Sequence, residues 1–225
     1  MTRQRREEQR HASDNPRRAA RSVQDEAEAG ERAAAESTQA KALMSRVLER
    51  ENLQRALKRV RQNKGAPGID GMTVDELPGY LKHHWPEIRE QLVNGTYRPQ
   101  PVRRVEIPKP DGKTRPLGIP TVLDRFIQQA IAQVISEQWE PHFHPHSYGY
   151  RSNRSAHDAV RHVQANIREG RRWVVDIDLQ AFFDRVNHDR LMAWLKSRCQ
   201  DRDLLRLINR YFKAGVRVGE ETQPR

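Results

Sequence analysis

Large apolar side chains are almost absent from the first 40 residues and recur at helical spacing from Leu43 onward. Within this leader, Val23 is the only large aliphatic residue after Met1. A segment with so little to bury cannot offset the conformational entropy that folding removes. We therefore predict that residues 1–40 are disordered or loosely helical, and that residues 41–95 form a helical N-terminal extension.

Two short helices are predicted in the second half of this extension. Thr73 and Glu76 have the spacing of a capping box, which would open the first helix. Pro86 suits the first turn of the second helix. Backbone N–H groups in a first turn have no partner within the helix, so the N–H that proline lacks is not missed there. That helix is expected to end near Asn94 and Gly95, because glycine commonly follows a helix C-terminus.

Short strands and helices alternate through the rest of the chain. Residues 102–120 predict two strands around a turn at 110–112, and the apolar run WVVDID at 173–178 predicts a third strand. Helices are predicted at about 122–139, 155–170, 188–198 and 202–213. Because these elements alternate without an internal repeat, the sequence predicts the α+β class.

Charge points to a polyanionic partner. Basic residues exceed acidic residues by 11, and the first 40 residues hold 8 of each, so the whole excess lies in residues 41–225. A folded unit this basic is expected to bind nucleic acid first and an anionic membrane second, unless the charge only aids solubility. No apolar stretch reaches the length of a membrane span, and Cys199 is the only cysteine. We expect a cytoplasmic protein with no membrane partner.

Two carboxylates stand on one face of the predicted third strand. Side chains alternate along a strand, so Asp176 and Asp178 share one face, while Trp173, Val175 and Ile177 share the other. A face with two acids and basic neighbours suits a divalent metal for phosphoryl transfer, because Mg²⁺ prefers oxygen ligands. An isolated Asp-x-Asp is more commonly structural, however. In that interpretation Asp176 is a charge at the edge of a strand, and Asp178 caps the turn that follows. Both interpretations stay open on these residues alone.

Three histidines alternate in the segment PHFHPHSYG, at positions 142, 144 and 146. Imidazoles at such spacing suggest a metal site, but Pro145 interrupts the run and no cysteine lies nearby. We interpret these histidines as structural.

Four segments occur in an order that is similar to group II intron reverse transcriptase/maturases. They are NKGAPGIDG at 63–71, VEIPKPDGKTRPLGIPTVLDR at 105–125, SYGYR at 147–151 and VVDIDLQAFFDRVNHDRL at 174–191. The resemblance covers about residues 43–225. It implies the fingers and an incomplete palm of a right-hand polymerase at residues 96–225, acting as an RNA-directed DNA polymerase on an intron RNA template with a DNA primer and dNTPs.

The resemblance also implies roles for individual residues. Asp178 would be the first catalytic ligand of Mg²⁺, with the Leu179 carbonyl as a second oxygen. Phe183 would be a steric gate against the 2′-hydroxyl of the incoming nucleotide, unless it only packs in the core. Lys109 and Arg115 would hold the triphosphate, and their alternative is solvated hairpin charge.

Further basic residues are expected to contact the template backbone. They are Arg103, Arg104 and Lys113 around the predicted hairpin, and Arg151 in SYGYR.

Asp176 does not match the ligand position of the family, since counting back five residues from Phe183 leads to Asp178. We interpret Asp176 as a charged neighbour on the same face.

One part of the family's catalytic machinery is not found in this sequence. The family's second motif is an Ala-Asp-Asp after an aromatic residue, and the acids after Asp189 lie in no such context. We therefore expect these residues alone to be catalytically incomplete, as a fragment, a split gene product or a decayed copy. The alternatives are a non-catalytic RNA-binding fragment or a reverse transcriptase of a CRISPR-linked, retron-like or diversity-generating element. The oligomeric state stays open.

Overall fold

The computed structural model of the protein describes residues 43–219 and 221–223, the last three as backbone only. The predictions for residues 1–40 therefore lie outside the described residues. None of the helices in the described ranges combines the length and the apolar character that crossing a bilayer requires.

Helices flank one small sheet, so the α+β class is confirmed. The helices are α1 (Arg50–Gln62), α2 (Leu77–Val93), α3 (Val122–Trp139), α4 (Ala156–Arg168), α5 (Phe182–Arg185), α6 (His188–Arg198) and α7 (Arg202–Lys213), with a helical turn at 43–47 and a 3-10 turn at Glu140–His142. The strands are β1 (Val102–Pro108), β2 (Thr114–Ile119), β3 (Val216–Val218) and β4 (Glu221–Gln223).

The sheet has the order β2-β1-β3-β4. Strands β1 and β2 form an antiparallel hairpin, as predicted, whereas β1 pairs in parallel with β3. Strands β3 and β4 form a second antiparallel pair that the sequence analysis did not predict. Each has only three residues, which is too short for an alternating pattern to show.

The hydrophobic core lies among α1, α2, α3, α6 and α7. Its most deeply buried large side chains include Leu77, Ile127 and Leu204. One buried polar residue joins two of these helices: the Asn52 side chain donates hydrogen bonds to the Val47 carbonyl (2.9 Å) and the Ala130 carbonyl (3.0 Å). Buried amides are tolerated only when they are hydrogen-bonded in this way.

Asp201 joins the start of α7 to the first described residues through hydrogen bonds. Its carboxylate caps the helix by accepting from the N–H groups of Asp203 and Leu204, as aspartate often does at this position. The same side chain accepts from the Met44 N–H at 2.7 Å. One buried carboxylate thus links chain segments 157 residues apart.

A second buried carboxylate, Asp124, lies at the base of the hairpin. It accepts hydrogen bonds from the Tyr97 hydroxyl at 2.8 Å, the Gln100 N–H at 3.0 Å and the Tyr211 hydroxyl at 3.2 Å. The Thr121 hydroxyl also donates to it. Burial raises the pKa of Asp124, although these donors favour the ionised form. The network holds the chain entering β1 against α3 and α7.

The glycine-rich loop at 63–71 packs closely on the entry to α3. A side chain on Gly68 would come within 2.6 Å of the Thr121 Cα, so only glycine fits there without a shift. Arg125 reaches back to the same loop and donates to the Ala66 carbonyl at 2.8 Å.

The two short helices predicted between residues 73 and 95 are one helix, α2. Thr73 and Glu76 do hydrogen-bond to each other, but they lie just before the helix rather than inside it. Pro86 lies within α2 and does not break it. Its ring is on the exposed side, where water can satisfy the carbonyl that loses its partner.

The segment between the end of α3 and the start of α6 contributes nothing to the core. No residue from 135 to 191 is buried. Ser155 and Asp158 form a capping box at the start of α4, and Gly170 follows the end of this helix at φ +90°. The helix α4 therefore forms with both of its ends as its local sequence favours, while the apolar side chains of the segment remain exposed.

Candidate nucleotide and nucleic-acid site

The β1–β2 hairpin carries a free basic face. The Lys109 N–H donates to the Lys113 carbonyl at 2.7 Å, so these two lysines stand opposite each other at the turn. Ile107 faces Arg115 across the hairpin. Because directly opposite residues share a face, the register places Lys109, Lys113 and Arg115 together.

The side chains of Lys109 and Arg115 are exposed and make no hydrogen bond or ion pair with any described residue. Among the described residues, the Lys113 side chain makes only a long contact with Asp111, 3.9 Å from Nζ to Oδ2. A rigid guanidinium and two flexible ammonium groups on one face are suited to an anion with several phosphates.

Unlike Lys109, Lys113 and Arg115, the side chains of Arg103 and Arg104 are not free. Alternation puts Arg104 on the opposite side of the hairpin, where its guanidinium pairs with Glu106 at 2.7 Å. Arg103 is half-buried near the base of the hairpin, and its Nε is buried without a hydrogen-bond partner among the described residues. The structure therefore does not gather all the predicted template contacts on one surface.

The prediction of a strand at 173–178 is wrong for this structure. Residues 171–179 lie in no helix or strand, and no described residue hydrogen-bonds to the backbone of 172–180. A strand forms only when a neighbour pairs with it, and the four described strands pair among themselves beside the hairpin. Asp176, Asp178 and Leu179 are consequently exposed.

Phe183 meets the SYGYR segment rather than the core. Its ring lies 6.0 Å from the ring of Tyr150 and 5.5 Å from that of Phe182, both in edge-to-face contact. Phe183 is 69% exposed and Tyr150 is 98% exposed. The two segments that the sequence analysis singled out are thus brought together, and they present aromatic surface to the solvent.

Arg151 does not present its charge as predicted. Its guanidinium donates to Glu140 at 2.7 Å and 2.9 Å, and to the carbonyls of His144 and Ser147 at 2.7 Å and 2.9 Å. Only 7% of its side chain is exposed. These contacts occupy the donors within the loop, so Arg151 organises the loop and is not placed to contact nucleic acid.

The histidines of this loop pack on α4. The His146 ring lies 4.0 Å from that of His162, and the Tyr148 hydroxyl lies 2.9 Å from His162 Nδ1. Slight desolvation and the neighbouring rings lower the pKa of His146. The His144 ring lies 5.1 Å from that of His146 in edge-to-face contact, so the three rings pack against one another.

The described residues do not complete a metal centre. The Asp178 carboxylate is exposed and has no cation partner, so it is chemically suited to bind one. In the described part of the chain, however, no group of three or more histidine, cysteine or carboxylate side chains is arranged to hold a metal ion. Asp178 therefore provides a single ligand, and a second set of carboxylates is not found among the described residues.

Comparison with known proteins identifies the family to which these residues belong. The family model for reverse transcriptase (RNA-dependent DNA polymerase) matches residues 107–225. Protein YkfC of Escherichia coli K12 is 40% identical over 159 residues, which are 68% of this chain and 42% of that protein. Group II intron-encoded protein LtrA of Lactococcus lactis subsp. cremoris is 37% identical over 154 residues, which are 68% of this chain and 25% of that protein.

Solved structures share the fold. A chain of the partial Cas6-RT-Cas1–Cas2 complex aligns with a TM-score of 0.52 over 80% of this chain and 29% of its own, at 19% identity. Such low identity supports the fold alone. The chain spans roughly a quarter to two fifths of the curated relatives named above. The resemblance to group II intron reverse transcriptase/maturases is confirmed.

Proposed function

Because the chain belongs to the reverse transcriptase family, we propose that it forms the fingers and part of the palm of an RNA-directed DNA polymerase of the group II intron type. Its template would be intron RNA, its primer DNA and its substrates dNTPs. The observation that carries this proposal is the free basic face of the β1–β2 hairpin, formed by Lys109, Lys113 and Arg115.

The proposed roles follow from how each side chain is presented. Lys109 and Arg115 bind the triphosphate, because both are exposed, unpaired and on one face. Phe183 contacts the incoming sugar, and Tyr150 supports its ring from the side. Asp178 supplies one carboxylate for Mg²⁺, with the Leu179 carbonyl beside it; when bound, the ion would neutralise charge on the phosphates.

We further propose that these 225 residues bind RNA but do not polymerise. Two of the acids after Asp189 already have structural roles, since Asp201 caps α7 and Asp203 pairs with Arg206 at 3.0 Å. The remaining two, Glu220 and Glu221, have no described side chains. The second carboxylate set that two-metal chemistry requires would have to come from elsewhere.

The triphosphate role is tested by alanine substitutions in the hairpin. Lys109→Ala and Arg115→Ala are each expected to weaken dNTP binding by about tenfold, because each removes a charge-assisted hydrogen bond. Isothermal titration calorimetry with dNTP measures this directly. Arg104→Ala is the matched control, since Arg104 lies on the opposite face and is already paired. Equal losses in all three variants would contradict the assignment.

The RNA binding proposed for these residues is also supported by a cavity beside α1. This cavity has a volume of about 850 Å³ and lies between the C-terminal half of α1 and the loop that follows. Lys58, Arg61 and Lys64 line it, and within the described part of the chain only Arg61 of these makes an ion pair, with Asp75 at 3.8 Å. Such a basic recess suits an RNA backbone.

The intron type is supported by LtrA, whose name is that of a group II intron-encoded protein and which is 37% identical to the chain over 154 residues.

A further inference from the structure

Two arginines stand side by side at the base of the β1–β2 hairpin. Strands β1 and β3 run in parallel, and their register places Arg103 directly beside Arg217. Residues paired in this way project from the same face of the sheet, on strands about 4.8 Å apart. Two positive charges that start so close together repel each other, which destabilises the pairing unless an anion lies between them.

Neither guanidinium has a counter-ion in the part of the chain that the structure describes. No hydrogen bond or ion pair joins the side chain of Arg103 or Arg217 to any described residue. Both side chains are half-buried, and the Arg103 Nε is buried without a partner. Buried donors in folded proteins are almost always paired, so this unpaired donor indicates that the arginine lacks its ligand.

No acid of β1, β2 or β3 lies on the face that carries the two arginines. The side chains of the hairpin on this face are basic or aliphatic: Arg103, Val105, Ile107, Arg115, Leu117 and Ile119. Glu106, the one acid of these three strands, projects from the other face and pairs with Arg104. In β4 the register places Thr222 beside Arg217. The buried Asp124 accepts hydrogen bonds from four other donors.

The missing ligand has the chemistry of a phosphate in a chain. Guanidinium groups bind phosphate oxygens through paired N–H donors, and two adjacent guanidiniums can hold one phosphate from both sides. Lys109 follows the last residue of β1 and lies six residues from Arg103, which is about 20 Å along an extended strand. One triphosphate does not reach both ends. A nucleic-acid strand does, because it carries a phosphate at every nucleotide.

We propose that Arg103 and Arg217 form a phosphate clamp at the base of the hairpin, which binds one backbone phosphate of single-stranded RNA. No sequence motif marks Arg217, and only the pairing of β3 with β1 brings it beside Arg103. The clamp rests on the proposed function for the identity of the strand as RNA. It adds a contact that is separate from the triphosphate face of Lys109 and Arg115.

The salt dependence of RNA binding tests the clamp, on the 225-residue chain with a short single-stranded RNA. Arg103→Ala and Arg217→Ala should each raise the RNA Kd by about tenfold at low salt, because each removes charge-assisted hydrogen bonds to the phosphate. Each should also reduce the slope of log Kd against log salt by about 0.7, the value for one phosphate of a single strand. The double variant R103A/R217A should reduce the slope no further, since both arginines hold the same phosphate.

Arg104→Ala is the matched control for the lost charge. Arg104 is the next residue of β1, but it lies on the opposite face and is already paired with Glu106. Its removal should leave the slope unchanged and the RNA Kd within about twofold. Far-ultraviolet circular dichroism checks that all variants keep the fold.

Thermal unfolding without RNA separates a clamp from a structural role. Arg217→Ala removes a repulsion and breaks no side-chain contact with a described residue, so it should not lower the Tm. A structural arginine would instead lower the Tm when it is removed.

Four results would overturn the clamp. They are an unchanged salt slope in Arg217→Ala, slope losses that add in the double variant, a lower Tm of Arg217→Ala without RNA, and loss of dNTP binding in Arg217→Ala. The proposed function fails on different variants. If Lys109→Ala and Arg115→Ala leave dNTP binding unchanged while Arg217→Ala reduces the RNA slope, the triphosphate role is wrong and the clamp stands.

Discussion

At the scale of single residues, Asp124 shows how one buried carboxyl positions the β1–β2 hairpin. It is 1% exposed, and its donors come from the chain before β1, from the start of α3 and from α7. Removing it would leave the hydroxyls of Tyr97 and Tyr211 unpaired in the interior, which is costly. The basic face of the hairpin therefore depends on a residue that touches no ligand.

The raised pKa of Asp124 makes its contribution to stability depend on pH. Its folded-state pKa lies above the ordinary value of 3.8, so the folded protein holds the proton more tightly than the unfolded chain does. The stabilisation is fully present below pH 3.8 and is lost as the pH rises through the raised pKa. Urea unfolding of the wild type and of Asp124→Asn should show a difference in free energy of unfolding that shrinks with rising pH.

Other acids titrate equally in both proteins, so this difference isolates Asp124. A difference that grows with pH would mean that the hydrogen bonds to the carboxylate outweigh its desolvation, contrary to our account.

At the scale of elements, α2 shows that a proline can lie inside a helix at a measurable cost. Pro86 removes one backbone hydrogen bond, and its ring is exposed and contributes little packing. Pro86→Ala should raise the free energy of unfolding by about 1–2 kcal/mol. This is less than the difference in helix propensity between proline and alanine, because alanine also gives the unfolded chain more conformational entropy. Chemical denaturation measures the change.

Glu90→Ala, at another exposed position of α2, serves as the comparison and should change stability by no more than about 0.5 kcal/mol. A destabilising effect of Pro86→Ala would show that the proline packs usefully in α2.

Elements with complete local signals were predictable from the sequence, whereas those that need a distant partner were not. Helix α3 follows from its apolar periodicity and the Thr121 cap, and the hairpin follows from its turn at 110–112. The segment 173–178 has strong strand propensity but no neighbouring strand, and propensity alone cannot supply one. Strand β3 pairs with the free edge of β1, and β4 in turn pairs with β3.

In the candidate site, too, the residues placed by local sequence were predictable, and those that depend on a more distant partner were not. The positions of Lys109 and Arg115 around a turn placed them on the hairpin, and the register then put them on one face. Arg151 has the same side chain, but its carboxylate partner Glu140 lies 11 residues away and became visible only in the fold.

At the scale of the whole molecule, a packed core coexists with residues 140–187, none of which packs against it. Residues 43–134 and 192–207 supply the buried side chains, whereas residues 135–191 supply none. The exposed segment includes Asp178 and Phe183, the residues assigned to chemistry. The residues that the proposed function assigns to chemistry therefore lie outside the packed core.

The most direct test of this account combines RNA binding and primer extension on the same 225-residue protein with Mg²⁺, an RNA template and a DNA primer. We predict RNA binding that weakens steeply as salt rises, through counterion release, and no primer extension. Extension that Asp178→Ala abolishes would contradict the claim that the catalytic set is incomplete, and undetectable or salt-insensitive RNA binding would contradict the proposed function itself.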